Sequence, residues 1–304
     1  MKKVFTYITA LFLALSFVSC DKIFDNLEGD LNKMSEDDLT SSEAGLMRLL
    51  SVAYQNIPMG AFNTNDQNTL DATSTHGASY SISITGFWSY SQMRAVNKLF
   101  NQIQQAYDKG AISEQLRDNM LGEAHFIRAY YYFGMVRAYG GVPIIEEPLD
   151  DKYDGGEDIS GLLFPRKTEK ETWDYVLAEF EKAAELLPES FGANSYRANK
   201  WAAYALEGRA ALYAASVSKY WNNAPIDNSY TAVKEKLTYM ESSYANAYYN
   251  KCIEACTKVI NSGVYSLHGG TSPASVADAK KSLQELFVAR QNDEFIFGRS
   301  YELG

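Results

Sequence analysis

Only three of the 304 residues are cysteine, at positions 20, 252 and 256, so no disulfide framework can hold this chain together. Its length makes one unnecessary, because a chain of this size with 46% hydrophobic residues buries an ample core. Basic residues are also in short supply: 28 Lys and Arg stand against 38 Asp and Glu, a net charge of −10. No run of Lys or Arg offsets that field, which excludes nucleic acid as a partner. Long hydrophobic runs are missing as well. The mostly apolar stretch 4–18 is fifteen residues, short of the roughly twenty that a bilayer span needs. Catalytic signatures are absent: the chain has no HExxH, GxSxG, P-loop or paired-cysteine motif, and its histidines at 76, 125 and 268 stand alone. Cys252 and Cys256 with His268 nearby do not make a zinc spacing and lack a fourth ligand, so the two thiols are expected to be small buried hydrophobes and no metal or cofactor is expected.

What is present begins at the first residues. Lys2 and Lys3 precede the short apolar run, the pattern of a secretory signal. Cys20 comes directly after it, behind the small Ser19 and with Phe17 where a strict lipobox has Leu, which predicts lipid attachment at Cys20. The chain then divides into a signal peptide at 1–19, a polar lipid-anchored tether at 20–41 and a folded domain at 42–304. Loss of 1–19 removes two bases and no acid, which leaves 26 basic against 38 acidic residues and a net charge of −12.

The domain reads as helical. Within 122–145, GEAHFIRAYYYFGMVRAYGGVPII, the residues Ala124, Ile127, Tyr131 and Met135 recur at spacings of three and four, with Arg128 and Arg137 off that stripe. The run Tyr139-Gly140-Gly141-Val142-Pro143 stops the helix sharply. His125 lies on this helix beside Phe126 and is expected to be structural. A signature spaced four, three and five occurs three times: Val96-Phe100-Ile103-Asp108, Val176-Phe180-Ala183-Pro188 and Tyr249-Ile253-Cys256-Asn261. That is the spacing of the second helix of a tetratricopeptide repeat, whose first three positions point inward and whose fourth ends the helix. Candidate first helices at 42–56, 113–139 and 199–218 precede them, the last holding Gly208 where helices must approach closely. The expected fold is therefore mainly α, a stack of tetratricopeptide-like hairpins.

The linkers inside each pair are long, at 57–87, 140–170 and 219–243, whereas those between pairs, at 109–112 and 189–198, are short. All three long loops must leave the stack at one edge, where a solenoid commonly binds its ligand. These loops hold Asp71, His76 and Tyr80 and end at Trp88 in the first case, hold Tyr153 within an acidic run in the second, and begin with Tyr220 and Trp221 in the third. The acidic run 150–158 lacks the oxygen spacing of an EF-hand and reads as solvated loop. A Trp or Tyr beside Asp or His suits a sugar, whose C–H face stacks on an aromatic ring while its hydroxyls meet polar groups. Trp88, Asp71, His76, Tyr80, Tyr220 and Trp221 are thus the candidate glycan-binding residues.

Several of these segments, taken together and in order, resemble a SusD/RagB-type protein: WSYSQMRAVN at 88–97, RAYGGVP within 122–145, ETWDYVLAEFEKAAELLP at 171–188, RANKWAAYALEGRAALYA at 197–214 and NDEFIFG at 292–298. The resemblance implies a surface-exposed lipoprotein of the cell outer membrane, held there by its lipid anchor. Such a protein binds oligosaccharides or polysaccharides without chemistry and delivers them to a SusC-like TonB-dependent transporter for nutrient uptake. Two other functions fit the residues: a tetratricopeptide-type protein-interaction module without sugar binding, and a secreted glycoside hydrolase, whose paired carboxylates cannot be picked out among 38 acids. SusD-like chains commonly continue past NDEFIFG into a loop-rich part, so the C-terminal part is expected to be missing here. Leu286, Phe287, Phe295 and Ile296 are expected to be buried against an element of that missing part.

Overall fold

The computed structural model describes residues 39–57, 88–149, 152, 155–156, 158–192, 195–223, 226–289 and 292–298. Among the described residues there is no strand, and the fold is the mainly helical stack that the periodicity predicts. Its elements are α1 (Glu43–Gln55), α2 (Tyr90–Asp108), α3 (Glu114–Tyr139), α4 (Glu169–Leu186), α5 (Lys200–Tyr220), the single turn α6 (Thr231–Lys234), α7 (Ala245–Asn261) and α8 (Val276–Val288). None of the described helices is long and apolar enough to cross a membrane.

Local chemistry sets the helix starts. Ser42, Ser113 and Asn199 cap the first helix of each pair, their side-chain oxygens accepting from the backbone N–H of Gly45, Leu116 and Ala202. Thr168 opens α4 with a capping box: its hydroxyl accepts from Glu171 N–H at 3.2 Å while the Glu171 carboxylate accepts from Thr168 N–H at 2.8 Å. Asp108 and Asn261 end their helices as the repeat spacing predicts, and Pro188 stands just past the end of α4.

Packing follows the chain order, α1 on α2, α2 on α3, α3 on α4, α4 on α5 and α5 on α7. The inward positions of the first two repeats behave as expected: Val96, Ile103, Val176, Phe180 and Ala183 are buried, and Phe100 packs half-buried on the core. Complete burial of Phe126, Phe180, Leu99 and Met120 stabilises the stack by about 1.5–3 kcal/mol each. Gly208 lets α5 and α7 meet, since a Cβ there would stand 2.8 Å from Cys256 Sγ.

Four expectations are corrected. In the third repeat Ile253 is 63% exposed, and the buried stripe is instead Ala245, Tyr248, Ala255 and Val259. α7 packs along α5, whose buried face is rich in alanine, and the face it turns inward is offset by about one residue from the repeat template. In α3 the apolar stripe is real, but Phe126, Ala129, Tyr132, Phe133 and Val136 are buried too, and so is Arg128. This helix is enclosed by α2, α4 and α1 rather than lying on the surface. Cys252 and Cys256 are only half-buried, with Cys256 Sγ facing Gly208 of α5. Finally, Ile296, expected to be buried against an element of the missing part, packs on the core of this chain, as does Phe297, edge-on to Phe126 at 5.0 Å; Phe287 stays 81% exposed and α8 has no buried residue.

Candidate functional site

The second and third long loops meet at one edge of the stack, and the helix stop after α3 explains how. Gly140 takes φ +72°, and its N–H closes the helix on Val136 O at 2.9 Å. A Cβ on Gly140 would lie 2.4 Å from Leu237 O, and one on Gly141 would lie 1.9 Å from Lys167 O, so only glycine lets both loops pass. Gly141 N–H donates to Leu237 O (2.6 Å), Lys167 N–H to Val142 O (3.1 Å) and Glu169 N–H to Lys236 O (2.9 Å). Arg166 donates from Nε to Gly141 O and from Nη2 to Tyr139 O, both at 2.7 Å, which places its charge on the negative end of α3.

The next residues, 143–147, are pinned from below by side chains of α2 and α3. Tyr90 Oη donates to Pro143 O (2.5 Å), Asn97 Nδ2 to Ile145 O (2.9 Å) and Arg128 Nη1 to Glu146 O (3.4 Å), while Tyr132 Oη accepts from Ile145 N–H (2.8 Å). Arg128 in turn donates from Nε to Glu179 Oε2 at 2.8 Å, and His125 Nδ1 lies 2.8 Å from the same oxygen. Burial of Glu179 disfavours its charge, but the His125 contact and the Arg128 guanidinium outweigh it and hold the carboxyl at about 2. Burial pushes the Tyr90 phenol well above its usual value, so it stays neutral. His125 is structural, as expected.

On this platform sits a cleft of about 480 Å³. Trp88, Tyr90, Pro143 and Ile145 line it from the start of α2 and the extended stretch after α3, and Leu162, Leu163, Phe164 and Pro165 line it from the returning half of the second loop. Its volume lies in the range of small-molecule sites, about 300–1,000 Å³. Trp88 is held edge-on by Tyr90 (centroids 4.9 Å apart) and Tyr139 (5.3 Å) and remains 54% exposed. Leu163 is 69% exposed. An exposed indole fixed by its neighbours and faced by apolar side chains can stack on the apolar face of a ring-shaped ligand.

Of the candidate residues, the structure places Trp88 in this cleft. Tyr220 and Trp221 lie at the end of α5 and the start of the third loop: Tyr220 is exposed beneath Lys219 Nζ at 5.2 Å, and Trp221 stands edge-on to Tyr239 at 5.7 Å. Neither lines the cleft. Asp71, His76, Tyr80, Tyr153 and Cys20 lie outside the described residues. Among the described residues, no three His, Cys, Asp or Glu side chains gather as a metal site would require. Sequence reasoning missed the far wall, Leu162 to Pro165. Its signal was an apolar run directly after an acidic stretch in a loop, where exposed apolar residues have no core to fill.

Comparison with known proteins agrees with the architecture. A SusD-like family model, described as starch-binding and associating with the outer membrane, matches residues 15–212. A SusD-like protein of Bacteroides ovatus is 24% identical over 226 residues, which cover 69% of this chain and 39% of that protein. The crystal structure of a SusD-like protein from Bacteroides fragilis superposes with a TM-score of 0.59 at 22% identity, covering 90% of this chain and 47% of the other. That of a SusD-like carbohydrate-binding protein from the same species gives 0.54 at 17% identity, covering 76% and 43%. The chain thus spans less than half the length of these relatives.

Proposed function

The chain belongs to the SusD-like family, and from that premise we propose that it is a cell-surface glycan-binding protein that captures oligosaccharides or polysaccharides at the outer membrane. It passes them, on this reading, to a SusC-like TonB-dependent transporter and performs no chemistry on them. Lipid on Cys20 holds it at the surface. The observation that carries the reading is Trp88, a half-exposed indole braced by two tyrosines over an apolar cleft at the loop-bearing edge.

The energetics suit a sugar. A pyranose lays its C–H face on the indole, and the rigid platform beneath means that little side-chain entropy is lost on binding. Tyr220 and Trp221, on the same edge, offer a second contact to a longer chain. The test is a glycan array with the whole chain, followed by calorimetry on the best ligand. Retention of a glycan with no product formed supports binding without catalysis; product formation would favour the hydrolase, and capture of a transporter with no glycan affinity would favour the protein-interaction module. Mass spectrometry of the membrane fraction decides the anchor, since an unmodified Cys20 thiol would remove it.

A further inference from the structure

Resting on the glycan reading above, we propose that the saccharide taken by the Trp88 cleft is uncharged, a neutral glycan rather than one bearing uronate or sulfate. Among the described residues the cleft walls are hydrocarbon and aromatic, and the single ionisable group in them, the Tyr90 phenol, already spends its proton on Pro143 O at 2.5 Å. An anionic group brought against Leu163 and Phe164 would shed water and gain no charge partner there.

Three of the four basic residues of segment 140–170, and Arg128 beneath it, are already engaged. Arg166, next to Pro165, has two donors fixed on the carbonyls of Gly141 and Tyr139. Arg128, below Ile145, is neutralised by Glu179. Lys152 pairs with Glu147, and Lys170 with Asp174 at 2.5 Å. The surrounding charge is negative: segment 140–170 carries eight acidic residues against four basic ones, and the whole chain carries −10. A polyanion would approach against that field, whereas a neutral chain is indifferent to it.

The test uses the whole chain and a panel of soluble neutral polysaccharides, each paired with its C6-carboxylated derivative, at about 20 and about 300 mM salt, a range over which exposed charge–charge attraction is largely screened. The neutral member of the bound pair should bind at least tenfold more tightly and change less than twofold with salt. Equal or tighter binding of the carboxylated member, weakened by salt, would overturn the inference and leave the glycan reading intact. Retention of no member at all would overturn the glycan reading and this inference with it. Leu163→Arg places a cation on an exposed position of the wall and should narrow the gap between the paired ligands at least threefold. An unchanged ratio would mean that the ligand sits outside the cleft.

Discussion

Two sides of the helical stack use the same device, an arginine on a buried carboxylate, for different purposes: Arg128 is itself buried, whereas Arg197 is only partly so. Where the linkers are short, Arg197 forks onto Glu123 at 2.8 and 2.5 Å, and Tyr54 Oη donates to the same carboxylate at 2.9 Å while accepting from Ala198 N–H at 3.0 Å. The guanidinium also lies 3.8 Å over Phe191. These bonds draw α1, α3 and the linker before α5 together and close the core. At the loop-bearing end, Arg128 satisfies Glu179 with one nitrogen and uses another to reach the backbone of the second loop. One ion pair seals helices; the other holds a cleft wall. The carboxyls differ accordingly: burial pushes Glu123 up despite Arg197, whereas Glu179, buried too, is held at about 2 by two donors.

The sharpest way to break this contrast is to remove each arginine. Arg128→Met leaves the buried Glu179 with only His125 and the more distant Lys182 Nζ, at 3.5 Å, and should cost about 3 kcal/mol in urea unfolding. The same change should abolish saccharide binding, because the tie to Glu146 O is lost. Arg197→Met should lower stability through Glu123 yet leave the affinity of the folded fraction within twofold. Equal loss of binding in both variants would show that the cleft depends on global stability alone.

Next in size is a pair of glycines. Gly141→Ala drives a Cβ into Lys167 O at 1.9 Å, so one loop must move, at a cost of about 1–3 kcal/mol and with weakened binding. Gly110 also has φ +72° but faces open space at the short-linker end, so Gly110→Ala should cost about 1–2 kcal/mol from backbone strain and spare binding. Thermal melts and calorimetry on both variants separate the two ends.

Trp88→Ala should reverse that balance. With half of its surface already in water, its loss should change stability by less than about 1 kcal/mol while weakening glycan binding at least tenfold, about 1.4 kcal/mol. A stability loss of about 3–5 kcal/mol, as for a core tryptophan, would contradict its placement.

The smallest effects are in pH. Glu179 lies below its ordinary value of 4.5, so its contribution is present above pH 4.5 and is lost as pH falls toward about 2. Glu169, at the start of α4, is pushed up to about 7, chiefly by burial against the opposing Trp173 Nε1–H donor at 3.3 Å. Its contribution is present below pH 4.5 and is lost as pH rises through 7. Glu169→Gln should therefore flatten the stability profile between pH 4.5 and 7, and Glu179→Gln the profile below 4.5. Chemical melts across pH check both, and an unchanged slope in either variant would show that the named carboxyl is not its source.

Much of the scaffold was legible because it is local. Ser42, Ser113, Asn199, Pro188 and the Gly140–Gly141 stop announce helix ends in the residues that make them, and the two regular repeats show their inward faces as spacing. What was hidden depends on partners distant in sequence. Arg128 looks like a surface residue until α4 brings Glu179 beneath it, 51 positions away. Ile253 fits a repeat template, but the packing of α7 on α5 decides which face of α7 is buried. Trp88 could be singled out because it lies where a loop meets a helix. Leu162 to Pro165 stand out locally only as an apolar run in a loop; that the run folds back to face the indole is set by partners distant in sequence.

The central claim is that the Trp88 cleft is the saccharide site, and a crystal structure of the chain with the tightest neutral ligand from the panel tests it most directly. A sugar ring in van der Waals contact with the Trp88 indole, opposite Leu163 and Phe164, is the result expected. A ligand seated instead on Tyr220 and Trp221, with the cleft empty, would contradict the claim.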